Sequence, residues 1–405
     1  MQYDFNGNLI SETDYDWIDL SQTTVPRDVQ GVPTGFPGTT ILRSVTNSYY
    51  NAASTSAAIN YAKRDATNVT PSIVNALKET ITGGSDTQLS YDNQAYGTAP
   101  IAGNLTDVGR LKSGTTFIHT TYGYDSYGNR VSVTDPNQNV TDFTIDPLTH
   151  AQPTEIKVYP DRTNTSVFHK TTIAYDYWTG LVTSQTDPNN NATTTSYDNQ
   201  LMSTAGNPVK DPFGRPGLIT DPQGRKAKSF YYDNARQVET TGDLKAAEDG
   251  LLKTKSSRDR LGRVTKVESS EDGSTYTVAT DTAYEQMGRI TYTSNPHRSG
   301  AAPTDGWTRT TNDDIGRIAE VATFDGATRP TAIATNWNGR VQTSYNAEQT
   351  TVTDQAGKKR RSVVDGLGRL LRVDEPNSTG IFDDTTVNPP LPLQPTYYTM
   401  TRSGM

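Results

Sequence analysis

Short alternations of apolar and polar residues, five or six long, recur through most of this 405-residue chain. Arg263–Glu268, Arg289–Thr293, Arg317–Val321 and Val140–Ile145 are examples. They are rich in Val, Ile, Thr and Tyr, and apolar and polar side chains roughly alternate. That period of two predicts half-buried antiparallel strands. One stretch reads differently. From Thr70 to Gly83 the apolar residues Ile73, Leu77 and Ile81 fall at helical spacing, with Pro71 at the first position. Thr70 would cap a short helix near 71–82 and Gly83 would end it.

The alternations are separated by turn signals that keep a phase. Tyr3-Asp4-Phe5-Asn6-Gly7-Asn8-Leu9 opens the chain with an aromatic-acid pair, two variable residues, Gly, then Asn or Arg and an aliphatic. Tyr124-Asp125 with Gly128 and Tyr284-Glu285 with Gly288 repeat it, and Tyr175-Asp176 reaches Gly180 one residue late. Weaker copies keep the Gly and lose the Tyr: Asp211 with Gly214, Asp259 with Gly262, Asp313 with Gly316, Asn336 with Gly339 and Asp365 with Gly368. A second signal is locked to the first. Asp135-Pro136 follows Tyr124 by eleven residues, and Asp187-Pro188 follows Tyr175 by twelve. Asp221-Pro222 with Gly224 occupies the same place in a copy without its Tyr. Asp187 then leads to Tyr197-Asp198, and Asp221 to Tyr232-Asp233.

Each acid would initiate a type I turn, each Gly would supply the positive φ that closes it, and Pro would preset φ. A unit is therefore two strands and two turns. One hairpin cannot bury its own face, so units must add edge to edge into a continuous sheet. The expected organisation is a divergent region over 1–120 containing the short helix, a repeat array over 121–376, and a Pro-rich loop or start of a further repeat over 377–405.

Composition fits a turn-rich sheet with solvated faces. Hydrophobic residues make up 32% even with 22 Tyr counted among them, where an ordinary globular domain has about 45–50% apolar residues. The net charge of −8 argues against a nucleic-acid partner, which needs concentrated Lys and Arg. The basic run Lys358–Arg361 reads as a strand with its charges turned outward. There is no Cys, which excludes disulfides and thiolate zinc sites but leaves the compartment open. No window of 18 apolar residues exists to span a membrane as a helix.

Residues that could carry chemistry are scattered. His119, His150, His169 and His297 stand far apart and at no metal-ligand spacing. Asp135–Asn139 and Asp187–Asn191 offer oxygen ligands, but they lie at the repeat's turn and lack the acidic closing ligand of a calcium loop. Adjacent acids such as Asp313-Asp314, Glu271-Asp272 and Asp383-Asp384 cannot face one another across a sugar as a glycosidase pair must. No catalytic residue, metal ligand or cofactor site is therefore assigned. The repeated Tyr leaves two readings open. In a regular sheet it would pack as a ladder with its hydroxyl on a turn group, and as an exposed row it would form a sugar platform.

Tyr-Asp-x-x-Gly-Asn/Arg phased with Asp-Pro-x-Gly/Asn resembles the YD repeats of the RHS superfamily over roughly residues 121–376, together with Tyr3–Leu9. That superfamily includes bacterial RHS toxins, the B–C component of insecticidal toxin complexes, wall-associated proteins and the teneurins. The resemblance implies an all-β fold: antiparallel hairpins forming a spiralling β-strip, part of a hollow shell. It also implies a secreted or cell-surface location, and as partners the rest of a larger RHS polypeptide or an enclosed cargo domain. Surface members of the family suggest glycans as a further partner. The self-cleaving motif that closes toxin-bearing shells, Asp-Pro-x-Gly followed by an apolar residue, is not matched. Arg215 follows the Asp211 copy and Arg225 the Asp221 copy. Neither self-cleavage nor a toxin domain carries over, and the chain is expected to be an interior piece of a longer protein. Strand edges left unpaired at either end of such a piece would invite self-association.

Overall fold

The computed structural model describes residues 1–4, 7–16, 26, 40–50, 75–160, 164–204, 206–300, 302, 304–387 and 390–398. Among these residues the structure is antiparallel β with a single 3-10 turn at Asp233–Ala235. Twenty-seven strands belong to one sheet. Strands run from two to nine residues, and most pair with their neighbours in sequence; Leu370–Asp374 pairs with Pro395–Tyr397, and Asp383–Asp384 forms a separate two-stranded sheet with Leu391–Pro392. The chain thus folds back and forth as a meander, as the phased turns require.

Two compact units are distinguished. The first comprises Met1–Thr172 with Val364–Arg369 and Thr399–Met405, and the second Ile173–Val363 with Leu370–Tyr398. The division falls inside strand His169–Tyr175, not at residue 120. Strands Leu105–Ser113 and Thr116–Tyr124 form one regular hairpin across that position, so the meander starts well before residue 121.

In the first unit, strands Leu9–Tyr15, Ile41–Tyr49, Leu77–Thr82 and Ser85–Tyr91 pair in succession. The helix expected near 71–82 is corrected here: Leu77–Thr82 is a strand, held on both sides, and Thr70, Pro71 and Ile73 lie outside the described residues. Gly83 does not end a helix. With Gly84 it forms a two-residue hairpin turn, both at positive φ (53° and 94°), the backbone twist that antiparallel strands favour. The β-branched Thr80, Ile81 and Thr82 suit that state. One amphipathic turn cannot repay helix nucleation when two flanking strands offer a full ladder.

The apolar core of this unit is small. Tyr50, Ala76 and Tyr91 are buried, with Leu89, Ala99 and Leu105 against them. The Tyr50 and Tyr91 rings meet edge to face at 5.8 Å.

In the second unit, strands pair in sequence from Val182–Thr186 with Ala192–Ser196 through to Gln349–Thr353 with Lys359–Val364. Leu370–Asp374 then pairs with Pro395–Tyr397, so the Pro-rich tail contributes a strand. Among its described residues, Tyr292, Trp307, Ala322 and Phe324 are buried on three successive strands, and Val363 and Val373 are buried further along. Charge is buried in this unit too. Arg361 binds the fully buried Asp374 at 2.7 Å and Asp383 at 2.8 Å, and lies over the Phe382 ring. These two carboxylates hold the guanidinium well above its ordinary pKa, the Asp383 hydrogen bonds contributing most. Buried ions persist only when paired in this way.

Candidate functional site

The recurrent site is the corner where a strand ends, turns and starts the next. At Asp125 the backbone carbonyl accepts the Gly128 N–H at 3.2 Å. One carboxylate oxygen accepts the N–H groups of Tyr127 and Asn129, both at 2.9 Å, and the other accepts the Asn129 side-chain amide at 2.9 Å. Asp135 with Asn139 and Asp187 with Asn191 repeat this arrangement. Where the sixth residue is Arg, its guanidinium replaces the amide. Arg263 Nε reaches Asp259 at 2.8 Å, Arg317 Nε reaches Asp313 at 2.7 Å and Arg369 Nε reaches Asp365 at 2.6 Å. Asp221 is clasped likewise by Arg225, and Asp4 by Asn8.

This explains why Asn or Arg follows the Gly: only those side chains reach back to the acid while their own N–H also binds it. The amide donors hold the carboxyls of Asp125, Asp135 and Asp187 below their ordinary range. Arg215 does the same to Asp211.

The glycines Gly7, Gly128, Gly180, Gly214, Gly224, Gly262, Gly288, Gly316 and Gly368 all sit at turns with φ between +64° and +88°. Gly339 does not. It opens strand Gly339–Asn346, and a Cβ there would come within 2.7 Å of Thr323 Oγ1. The Asn336 copy is thus a close approach of strands and not a corner. At Tyr197-Asp198 the acid binds Ser196 and Lys210 and not its own turn. Asp211, whose N–H donates to the Tyr197 carbonyl, supplies the corner after a longer excursion. At Tyr232-Asp233 the acid binds Arg215.

A second set of contacts joins one corner to the next; a hydroxyl on a turn group is one of the two sequence readings of the repeated Tyr, while the Arg on its ring escaped the sequence. The Tyr124 hydroxyl donates to the Leu105 carbonyl at 2.9 Å, Tyr197 to Val182 at 2.8 Å, Tyr284 to Val264 at 2.9 Å and Tyr345 to Ile318 at 2.9 Å. Each acceptor is the first or second residue after the preceding Gly-Asn/Arg/Leu corner. The corner's Arg then lies on the Tyr ring, Arg263 at 4.2 Å from the Tyr284 centroid and Arg317 at 4.0 Å from that of Tyr345. At Tyr231-Tyr232 the first Tyr takes this role, bonding the Pro216 carbonyl and carrying Arg215 at 4.0 Å. Tyr3 is exposed. Tyr175 ends its strand with its phenol pKa raised by burial. An available signal was the pairing of each Gly-Arg with a Tyr one hairpin later.

Other polar groups gather less. His119 pairs with Asp107 at 3.0 Å and His297 with Asp281 at 2.9 Å, while His150 stacks on Tyr127. The described residues hold no group of three potential metal ligands. A cleft of about 280 Å³ in the second unit is lined by Asp281, His297, Asp305 and Trp307 among others. Its acids are engaged by His297 and by the Ala302 N–H.

Fold and corner together define a class of protein, an antiparallel β-strip assembled from Tyr- and Asp-marked hairpins. Residues 102–140, which include the Asp125 and Asp135 corners, match the family model described as RHS Repeat. This stretch of the chain thus carries the RHS repeat. No curated protein sequence matches it. Among solved structures it is similar to TcdB2-TccC3-TEV, at 11% identity and a TM-score of 0.36, over 93% of this chain and 20% of that one. It is also similar to the Photorhabdus luminescens Tc holotoxin pore, at 13% identity and a TM-score of 0.31, over 94% of this chain and 24% of that one. The chain spans about a fifth to a quarter of the length of these structures.

Proposed function

We propose that this chain is a wall segment of a larger secreted or surface RHS protein, a non-catalytic strip that encloses or supports another part of that polypeptide. One observation supports this most strongly. Corner acids close their own turns, and ladder Tyr hydroxyls and rings bind the preceding corner, so the recurrent polar groups are spent on propagating the sheet. The same observation weighs against a glycan platform, because Arg already takes one face of the Tyr231, Tyr284 and Tyr345 rings.

Two measurements test the proposal. Fractionation of the native host should find the parent protein outside the cytoplasm, and particle imaging of that parent should show a hollow body; a cytoplasmic protein or a solid one overturns the reading. A glycan array probed with the full chain should show no binding that Tyr284→Phe or Tyr345→Phe alters. Tight, Tyr-dependent binding would favour the adhesin.

A further inference from the structure

Successive turns of a meander alternate between its two long edges, and in the second unit the two edges differ. On one edge five turns carry a large apolar residue just before the corner Gly or its Thr, Trp178, Phe213, Leu261, Met287 and Ile315, while the turn at Asp233–Arg236 between Phe213 and Leu261 carries none. Each of the five is between 71% and 87% exposed. On the other edge the matching position holds Asn189, Gln223 or Ala356. Nothing in the turn geometry demands an apolar residue there, since its N–H binds the corner Asp through the backbone alone, as at Leu261 and Ile315.

From these tips we infer that this edge is a docking rail for the same edge of a second copy of the chain, the two related by a two-fold axis. Three observations select that occupant. The first is spacing. Leu261, Met287 and Ile315 stand on consecutive same-edge turns, two strands and hence about 10 Å apart. A gap of that size admits one apolar side chain from a facing row. A second strip offers the same period across its own three consecutive tips, whereas an extended segment repeats at about 6.7 Å on one face. A helix can offer only about 10.5 Å, at every seventh residue, and drifts out of step.

The second is area. Five such side chains expose on the order of 700 Å² together, close to the ~800 Å² per partner of a standard interface. The third is charge. Most ions beside the tips are already paired, Asp211 with Arg215, Asp259 with Arg263, Arg289 with Asp314 and Asp313 with Arg317, and the further charge of Arg260 is opposite in sign to the chain's net −8. Two acidic chains therefore meet along this edge without local repulsion. The inference does not depend on the wall reading, and it differs from association through unpaired end strands, which these turn tips do not touch.

The test uses the full chain, whose lack of Cys makes introduced thiols unique. In sedimentation equilibrium the wild type should show a concentration-dependent dimer. The variant Leu261→Ser/Met287→Ser/Ile315→Ser, checked for retained β-structure by circular dichroism, should weaken that dimer by about tenfold per tip. Under mild oxidation Leu261→Cys should cross-link between copies at least tenfold faster than Gln223→Cys on the opposite edge. A wild type that stays monomeric overturns the proposal. So does a folded triple variant that dimerises as before, or equal cross-linking at the two edges. The cross-linking arm stands even if the triple variant does not fold.

Discussion

A single corner already contains most of what holds the strip. Arg317 is fixed by Asp313 within its own turn and lies on the Tyr345 ring, whose hydroxyl binds the Ile318 carbonyl. Tyr345→Phe leaves that carbonyl without its side-chain donor and should cost about 1 kcal/mol. Arg317→Ala removes the stacked cation. A double-mutant cycle of the two in urea should give a coupling of about 0.5–1 kcal/mol, and strict additivity would mean the ring contact contributes nothing. Acid should act on the same groups. Asp125, Asp135, Asp187 and Asp211 have lowered pKa values in the folded chain, against about 3.9 unfolded. A depressed carboxyl gives stability that is fully present above the unfolded value and lost as pH falls through the folded one. Thermal melts should therefore show the turn acids' share of stability disappearing only below about pH 4, with Asp187→Asn flattening that decline. A share lost between pH 7 and 5 would contradict the assignment.

At the scale of the element, strands and corners were legible because each leaves a local mark: alternation for the strand, acid and Gly at fixed offset for the turn. Misreadings arose where a tertiary neighbour decided. Leu77–Thr82 carries a helical stripe too short to act alone and becomes a strand between two others. Gly339 looks like a corner Gly, yet it is needed for close approach to Thr323. The Arg-to-ring contacts were illegible because a hairpin of variable length separates the partners. The two kinds of Gly should respond oppositely to substitution. At Gly262, with φ +79° and open space for a Cβ, Ala should cost about 1–2 kcal/mol and Asn less, since Asn tolerates left-handed backbone. At Gly339 the larger Asn should cost more than Ala. Chemical denaturation of the four variants gives the two rankings, and the same order at both sites would refute the distinction.

Across the molecule, burial cannot be the main source of order. Among the described residues the apolar cores are a few side chains each, and the largest fully buried side chains are the carboxylates Asp365 and Asp374. Stability must then be close to a sum of nearest-neighbour terms, as in other one-dimensional repeats. Such a sum has a spatial signature. Asp259 closes the turn between strands Leu252–Arg258 and Val264–Ser270 and anchors the Arg263 that reaches Tyr284. Asp259→Ala should therefore raise amide hydrogen exchange in those two strands and in Tyr276–Tyr284, which Arg263 touches. Strands Gly339–Asn346 and Gln349–Thr353, several hairpins away in the same unit, should keep wild-type protection. Exchange followed by mass spectrometry over peptides of the second unit separates the cases. If protection instead falls uniformly from Val182 to Val363, the unit opens as one cooperative body. Its corners would then be accessories to some larger interaction rather than the links that carry the sheet from one hairpin to the next.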